Sequence, residues 1–137
     1  MSKTLMMIKP DAVEAGNAGK ILARVEEKGL AIRAMRMVHL KPEEAREFYK
    51  VHADKPFIDE LVAFMSRSAI VAAVLEAPEA VSRWRELMGK TNPAEAAAGT
   101  IRKDFASSIQ ENAVHGSDSD ENAAIEIDFF GLNLDLR

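Results

Sequence analysis

The pattern that most limits the fold is a series of short apolar runs, each too brief for a helix, set between stretches of helical periodicity. "TLMMI", Thr4 to Ile8, is continuously apolar and is stopped by Lys9-Pro10-Asp11. It reads as a buried strand. A loop follows, and Asn17 stands where it can cap a helix whose apolar positions Ala18, Ile21, Leu22 and Val25 recur at helical spacing until Gly29. "LAIRAMRMVHL", Leu30 to Leu40, alternates as a second strand, with Leu30, Ile32, Ala34, Val38 and Leu40 assigned to one side and Arg36 interrupting it. Pro42 suits the first turn of the next helix, and Glu43 and Glu44 suit its positive end. Two helical pieces run from there to Met65.

"AIVAAVLEA" gives a third strand, and Pro78 opens a helix holding Trp84 and Leu87. After Gly89 comes a loop with a short helix expected around Lys103 to Ser108, then "NAVHG" as a fourth strand. In "SDSDENAAIEIDFF", Asp118 and Glu121 have capping-box spacing, and Ala123, Ile127 and Phe130 mark the buried stripe of a last helix. The order is β-α-β-α-α-β-α-loop-β-α. Without the extra helices it reduces to βαββαβ, an α+β ferredoxin-like arrangement: a four-stranded antiparallel sheet covered by helices on one face, with an inserted loop before the last strand.

At 137 residues the chain is expected to form one domain, 1–137. With 47% hydrophobic and 29% charged residues it has the composition of a globular protein, which excludes a disordered chain. The lack of cysteine excludes a disulfide framework and a thiolate metal site and fits a reducing compartment, so a cytoplasmic location is expected. Leu5 to Ile8 is far too short for a signal or membrane segment, and no membrane association is expected. A net charge of −4 with acids and bases intermixed gives no general nucleic-acid surface. An anion site on this chain must be a local cluster of bases.

Several motifs fail on inspection. "GNAGKI" has two residues between its glycines where a phosphate loop needs four, and Ile21 stands at its hydroxyl position. Asp118, Asp120 and Asn122 begin like a calcium loop, but Ala123 replaces the glycine and Phe129 the bidentate glutamate. Signatures of common hydrolases, metalloproteases and protein kinases are missing.

The histidines separate by setting. His39 and His52 read as structural. His115, in "NAVHGSDS", lies at a strand end before Gly116 and Ser117, where backbone can approach a ligand closely. Counting by three and four along the last helix puts Glu126 on the stripe of Ala123 and Phe130, so a carboxylate faces inward and needs a partner. Ser117 and the His115 imidazole are the nearest candidates. A carboxylate on one ring nitrogen would fix the tautomer and leave the other as an oriented nucleophile. The alternative is that Glu126 reaches solvent at the edge of the stripe.

"IKPDAV", "FYKVHADKPF", "LMGKTNPAEAAAGTIRKDF" and "NAVHGSDS", in that order from about Thr4 to Phe130, resemble nucleoside diphosphate kinases. The resemblance implies transfer of a γ-phosphate from a nucleoside triphosphate to a nucleoside diphosphate in a ping-pong cycle through a phosphohistidine. His115 matches the phosphorylated residue. Lys9, Arg85 and Arg102 match the family's phosphate-binding positions and Thr91 its hydroxyl donor; such cations suit a reaction that is mostly positioning and charge stabilisation. Asn112 matches the residue that bonds the ribose hydroxyls, and Tyr49 a tyrosine that orients the site. Phe57 matches the aromatic on which the base stacks, with Leu61 beside it, although periodicity alone assigns both to helix core. Ser117 and Glu126 match the residues that support the histidine.

By the same resemblance Mg2+ is expected, held mainly by nucleotide phosphates, so no protein metal ligand is assigned. ATP and other nucleoside di- and triphosphates are the expected partners, and the family assembles as homotetramers or homohexamers. The chain departs from the family pattern at Arg67-Ser68-Ala69, where Ser-Gly-Pro is common, at Ala77 and at Ala98. The first two are placed outside the phosphate site, bearing on turns and assembly, and Ala98 leaves its loop less rigid than a proline would. Two other classes are weighed: a regulatory nucleotide-binding module that has lost the histidine or arginines, and a nucleic-acid module with a basic aromatic strand face. The chain keeps the former residues and has a single tyrosine and an acidic balance.

Overall fold

A computed structural model describes residues 1–136. In chain order the strands and α-helices are β1 (Ser2–Ile8), α1 (Pro10–Glu14), α2 (Ala18–Glu27), β2 (Ala31–Val38), α3 (Pro42–Phe48), α4 (Ile58–Met65), β3 (Ile70–Ala77), α5 (Ala80–Met88), α6 (Ile101–Phe105), β4 (Val114–Gly116) and α7 (Asp120–Phe129). Short 3-10 turns occupy Lys50–His52, Pro93–Glu95 and Leu132–Asp135. The strands form a four-stranded sheet in the order β2-β3-β1-β4, every neighbouring pair antiparallel. This is the expected ferredoxin-like sheet.

Helices cover both faces of that sheet, which corrects the expectation of a single covered face. Met6 and Ile8 of β1, with Val71, Ala73 and Leu75 of β3, pack in one core with Ile21, Val25, Trp84 and Met88 of α2 and α5. Leu5, Met7, Ala72 and Val74 point the other way into a second core with Ala45, Val62, Met65 and Ile127 of α3, α4 and α7. A strand with two covered faces must be apolar at every position, and the unbroken run Leu5 to Ile8 is the sequence form of that requirement. Each large side chain so buried contributes about 1.5–3 kcal/mol.

Strand β2 does not keep one side. Leu30 and Ile32 belong to the first core, whereas Ala34, Val38 and Leu40 belong to the second. The register slips between Ile32 and Ala34, opposite Leu75 and Val74, so Arg33 is an extra residue that rotates the rest of the strand to the other face.

The local boundaries also differ. Helix α1 occupies part of the expected loop, with Pro10 in its first turn. Asn17 holds the cap position of α2, but its side chain makes no capping bond. Helix α6 starts at Ile101 because Thr100 caps it, Oγ1 accepting from Lys103 N at 3.3 Å. Ser119, in extended conformation, caps α7 by accepting from Asn122 N at 3.1 Å, so the cap is Ser119 and not Asp118. Asp118 instead accepts from the Asn122 side chain.

Candidate active site

The pairing of β1 with β4 sets His115 opposite Met7 and Val114 opposite Ile8. The chain leaves β1 at Lys9, whose N–H donates to the Ala113 carbonyl at 2.8 Å. Lys9 Nζ donates to Asn112 Oδ1 at 2.8 Å, and Asn112 Nδ2 to the Thr91 carbonyl at 3.4 Å. The end of a central strand thereby ties a lysine to the loop before β4. Burial, reinforced by the charge of Arg102 and opposed by Asp11, pulls the Lys9 ammonium down to about 8.

Arg102 gives three of its five N–H donors to backbone. Nη2 bonds the Val114 carbonyl at 2.8 Å, Nη1 that of Gly89 at 3.1 Å and Nε that of Asn112 at 3.4 Å. The guanidinium staples the inserted loop to β4 without losing its charge. Among the described residues no carboxylate pairs with Lys9, Arg85 or Arg102. Desolvation, followed by repulsion from Arg85, lowers Arg102 to about 10. Arg85, Thr91 and Arg102 line an open cleft of about 850 Å³ together with Lys90, Asn92 and two carboxylates, Glu86 and Glu95. Neither carboxylate forms an ion pair with Arg85 or Arg102, so both guanidinium charges remain available to an anion.

At the end of β4, His115 Nε2 lies 3.1 Å from Glu126 Oε1. The same oxygen accepts from Ser117 Oγ at 2.7 Å, and that hydroxyl accepts from Leu5 N at 3.2 Å. The inward carboxylate of α7 thus holds both candidate partners at once, and the reading in which it merely reaches solvent is set aside. An ionised carboxylate can only accept, so Nε2 carries the ring proton and Nδ1 keeps a lone pair. Burial lowers the His115 pKa; Glu126 opposes this, while Lys9 and Arg102 add to it. The net effect favours the neutral ring.

Aromatic side chains wall the imidazole. Phe48 meets it edge-on at 5.5 Å between ring centroids, and Tyr49 stands perpendicular at 6.4 Å. The buried Tyr49 hydroxyl has no hydrogen-bond partner among the described residues, and its pKa is raised by burial and then by the charge of Glu126. His52 stacks on Tyr49 at 6.5 Å and meets Phe57 at 6.0 Å, so a file of rings runs from His115 outward. Phe57 is 45% exposed at the start of α4, against the helix-core position that periodicity gives it. Leu61 is half-buried against the second core.

Three contributors escaped the sequence reading. Phe48 is one. Trp84 Nε1 donates to the His115 carbonyl at 3.1 Å, fixing the backbone that carries the ring. Asp11, inside the "IKPDAV" block that gave the only signal for it, accepts from Ala113 N at 3.1 Å. Ala113 has φ 72°, and Val114 N bonds the Asn112 carbonyl at 2.8 Å around it, a γ-turn with a left-handed centre. For alanine so sparsely populated a conformation costs about 1–3 kcal/mol.

A Cβ on Gly116 would lie 2.6 Å from Met88 Cε and 2.7 Å from Trp84 Cδ1, so the close approach of α5 requires a glycine there. Arg67, placed outside the site, grips Glu14 with two donors at 3.0 and 2.6 Å and reaches Glu111, next to Asn112, at 3.1 Å.

The model of the family described as "Nucleoside diphosphate kinase" matches residues 2–133. The chain belongs to the nucleoside diphosphate kinase family. It is 60% identical over 130 residues to a nucleoside diphosphate kinase of Campylobacter lari, covering 95% of each chain. It is 53% identical over 136 residues to one of Geotalea uraniireducens, covering 99% of each. Its structure superposes on that of the Aquifex aeolicus nucleoside diphosphate kinase with a TM-score of 0.96 at 45% identity, covering 99% of both chains. A Halobacterium salinarum nucleoside diphosphate kinase, solved in complex with CDP, superposes with a TM-score of 0.90 at 39% identity over 94% of this chain and 86% of that one. As a member of this family, the protein is a phosphotransferase acting between nucleotides. Among the described residues no helix is long and apolar enough to cross a membrane.

Proposed function

We propose that His115 is the residue that carries the phosphoryl group and that the surrounding residues divide the work as follows. Nδ1 attacks the γ-phosphorus of a nucleoside triphosphate; the N–P bond forms, the bond to the bridging oxygen breaks, and the diphosphate leaves. A β-phosphate oxygen of a second nucleoside diphosphate then attacks the same phosphorus, and the N–P bond breaks. No proton has to leave the nucleophile, because Nδ1 starts with a free lone pair. Imidazole becomes cationic as the N–P bond forms, and Glu126, on Nε2, stabilises that charge; Ser117 holds Glu126 in place. The observation that carries this reading is the His115–Glu126–Ser117 chain beside cations without carboxylate partners.

Lys9, Arg85, Arg102 and the Thr91 hydroxyl hold phosphate oxygens, Asn112 a ribose hydroxyl, and Tyr49 orients the site. The exposed Phe57, with Leu61, offers a face to the base, and stacking of that kind tolerates every base. Magnesium dependence is a trait of the family. The cleft fits an ion that arrives on the nucleotide: Arg85, Lys90 and Arg102 outnumber Glu86 and Glu95 in its lining, and no cluster of three or more His, Asp or Glu able to hold a metal occurs among the described residues. Bound there, magnesium would neutralise phosphate oxygens, its other ligands being water. Nucleoside di- and triphosphate binding and oligomeric assembly are typical of the family. A homotetramer or homohexamer in the cytoplasm is the state proposed for this chain.

γ-Labelled ATP with magnesium and no acceptor should give an acid-labile, base-stable label that GDP removes. His115→Ala should take no label. Glu126→Gln should still label, roughly tenfold more slowly, because the amide keeps an acceptor for Nε2 but loses the charge that stabilises the imidazolium. A label retained by His115→Ala would refute the assignment.

A further inference from the structure

The γ-turn at Ala113 joins Asn112 to the strand that carries His115, and both polar groups of its central residue are held from a single neighbouring segment. Lys9 N–H takes the Ala113 carbonyl at 2.8 Å, and Asp11 Oδ2 takes the Ala113 N–H at 3.1 Å. Ala113 is fully buried, so water cannot supply either bond. A left-handed alanine persists only where its surroundings over-determine it. The hydrogen bonds of Lys9 and Arg102 to Asn112, and of Arg102 to Val114, reach the turn from its two sides, so relaxing it would displace the cations and the imidazole together.

We infer that Asp11 is a positioning residue for phosphoryl transfer: its carboxylate holds Ala113 in the left-handed γ-turn that sets Lys9, Asn112 and His115 in register. This rests on the assignment of His115 as the phosphoryl carrier. A competing role exists, because Asp11 also offsets the charge of Lys9. Substitutions separate the two roles. Asp11→Asn keeps an acceptor for the Ala113 N–H and removes the charge; Asp11→Ala removes both. Ala113→Gly makes the left-handed turn accessible without a clamp.

The test is single-turnover labelling of His115 by γ-labelled ATP, together with hydrogen exchange at the Ala113 amide. In Asp11→Ala the labelling rate at saturating ATP should fall roughly ten- to a hundredfold, and the amide should lose protection. Asp11→Asn should stay within about threefold of the parent, since the acceptor survives. Ala113→Gly added to Asp11→Ala should recover most of the lost rate. An Asp11→Ala variant with parental amide protection overturns the inference whatever the labelling shows. So does a double variant as slow as the single one, or an Asp11→Asn variant as slow as Asp11→Ala, either of which would make the charge on Lys9 the function of Asp11. Failure of the parent to label on His115 would instead refute the assignment of the carrier, and the exchange data would still judge the clamp.

Discussion

His115 and Lys9 are both pulled toward neutrality by burial, and the two shifts bound the pH range of the enzyme from opposite sides. The imidazole is lowered from 6.5, so it remains an uncharged nucleophile until the pH falls below that value; the lysine, at about 8, holds its charge only below that pH. For MgATP, kcat/KM should decline below pH 6.5 as His115 protonates and again above about 8 as Lys9 loses its proton. Bound phosphate favours the charged lysine, so the alkaline decline in kcat should move to higher pH than that in kcat/KM. NMR titration of the free protein checks the acid side directly: a His115 midpoint at or above 6.5 would contradict the role given to burial. Glu126 was legible at this scale, because a carboxylate on an apolar helical stripe needs a partner. Asp11 was not, since its target is a backbone N–H made available by a left-handed alanine, a conformation no residue type in "NAVHG" announces.

At the scale of elements, strand β4 is held against α5 through a contact only glycine allows. Ala at 116 would drive a Cβ into the Trp84 ring; Met88 Cε can swing aside, but the buried indole, bonded to the His115 carbonyl, cannot. Gly116→Ala should therefore destabilise the fold by about 1–3 kcal/mol and slow transfer by shifting His115. Chemical denaturation at fixed protein concentration, which keeps assembly constant, measures the first effect, and an unchanged midpoint would contradict the packing described. The strands were readable because short apolar runs have few alternatives. Their details were not: a bulge at Arg33 leaves no mark in an alternating pattern, and Asp118 and Ser119 are adjacent residues that can both cap. The structure chooses the serine because its extended backbone aims Oγ at Asn122 N.

Over the whole molecule, a sheet whose central strands are buried on both faces presents its chemistry at the β1 and β4 ends, where Lys9 and His115 meet the inserted loop carrying Thr91 and Arg102. Two helical layers were hidden from the sequence because a helix stripe shows that it is buried and not against which face. The departure at Arg67 shows the same blindness to distance: through Glu14 and Glu111 it ties α1 to the segment leading into Asn112, a connection spanning elements far apart in sequence. The central claim is that this scaffold offers one ring nitrogen, Nδ1 of His115, and retains the proton on the other. The most direct measurement is nitrogen–phosphorus correlated NMR of the protein phosphorylated by MgATP with its histidines labelled in nitrogen-15. Phosphorus coupled to Nδ1 of His115 with Nε2 still protonated is the expected result; phosphorus on Nε2, or on any residue other than His115, would contradict it.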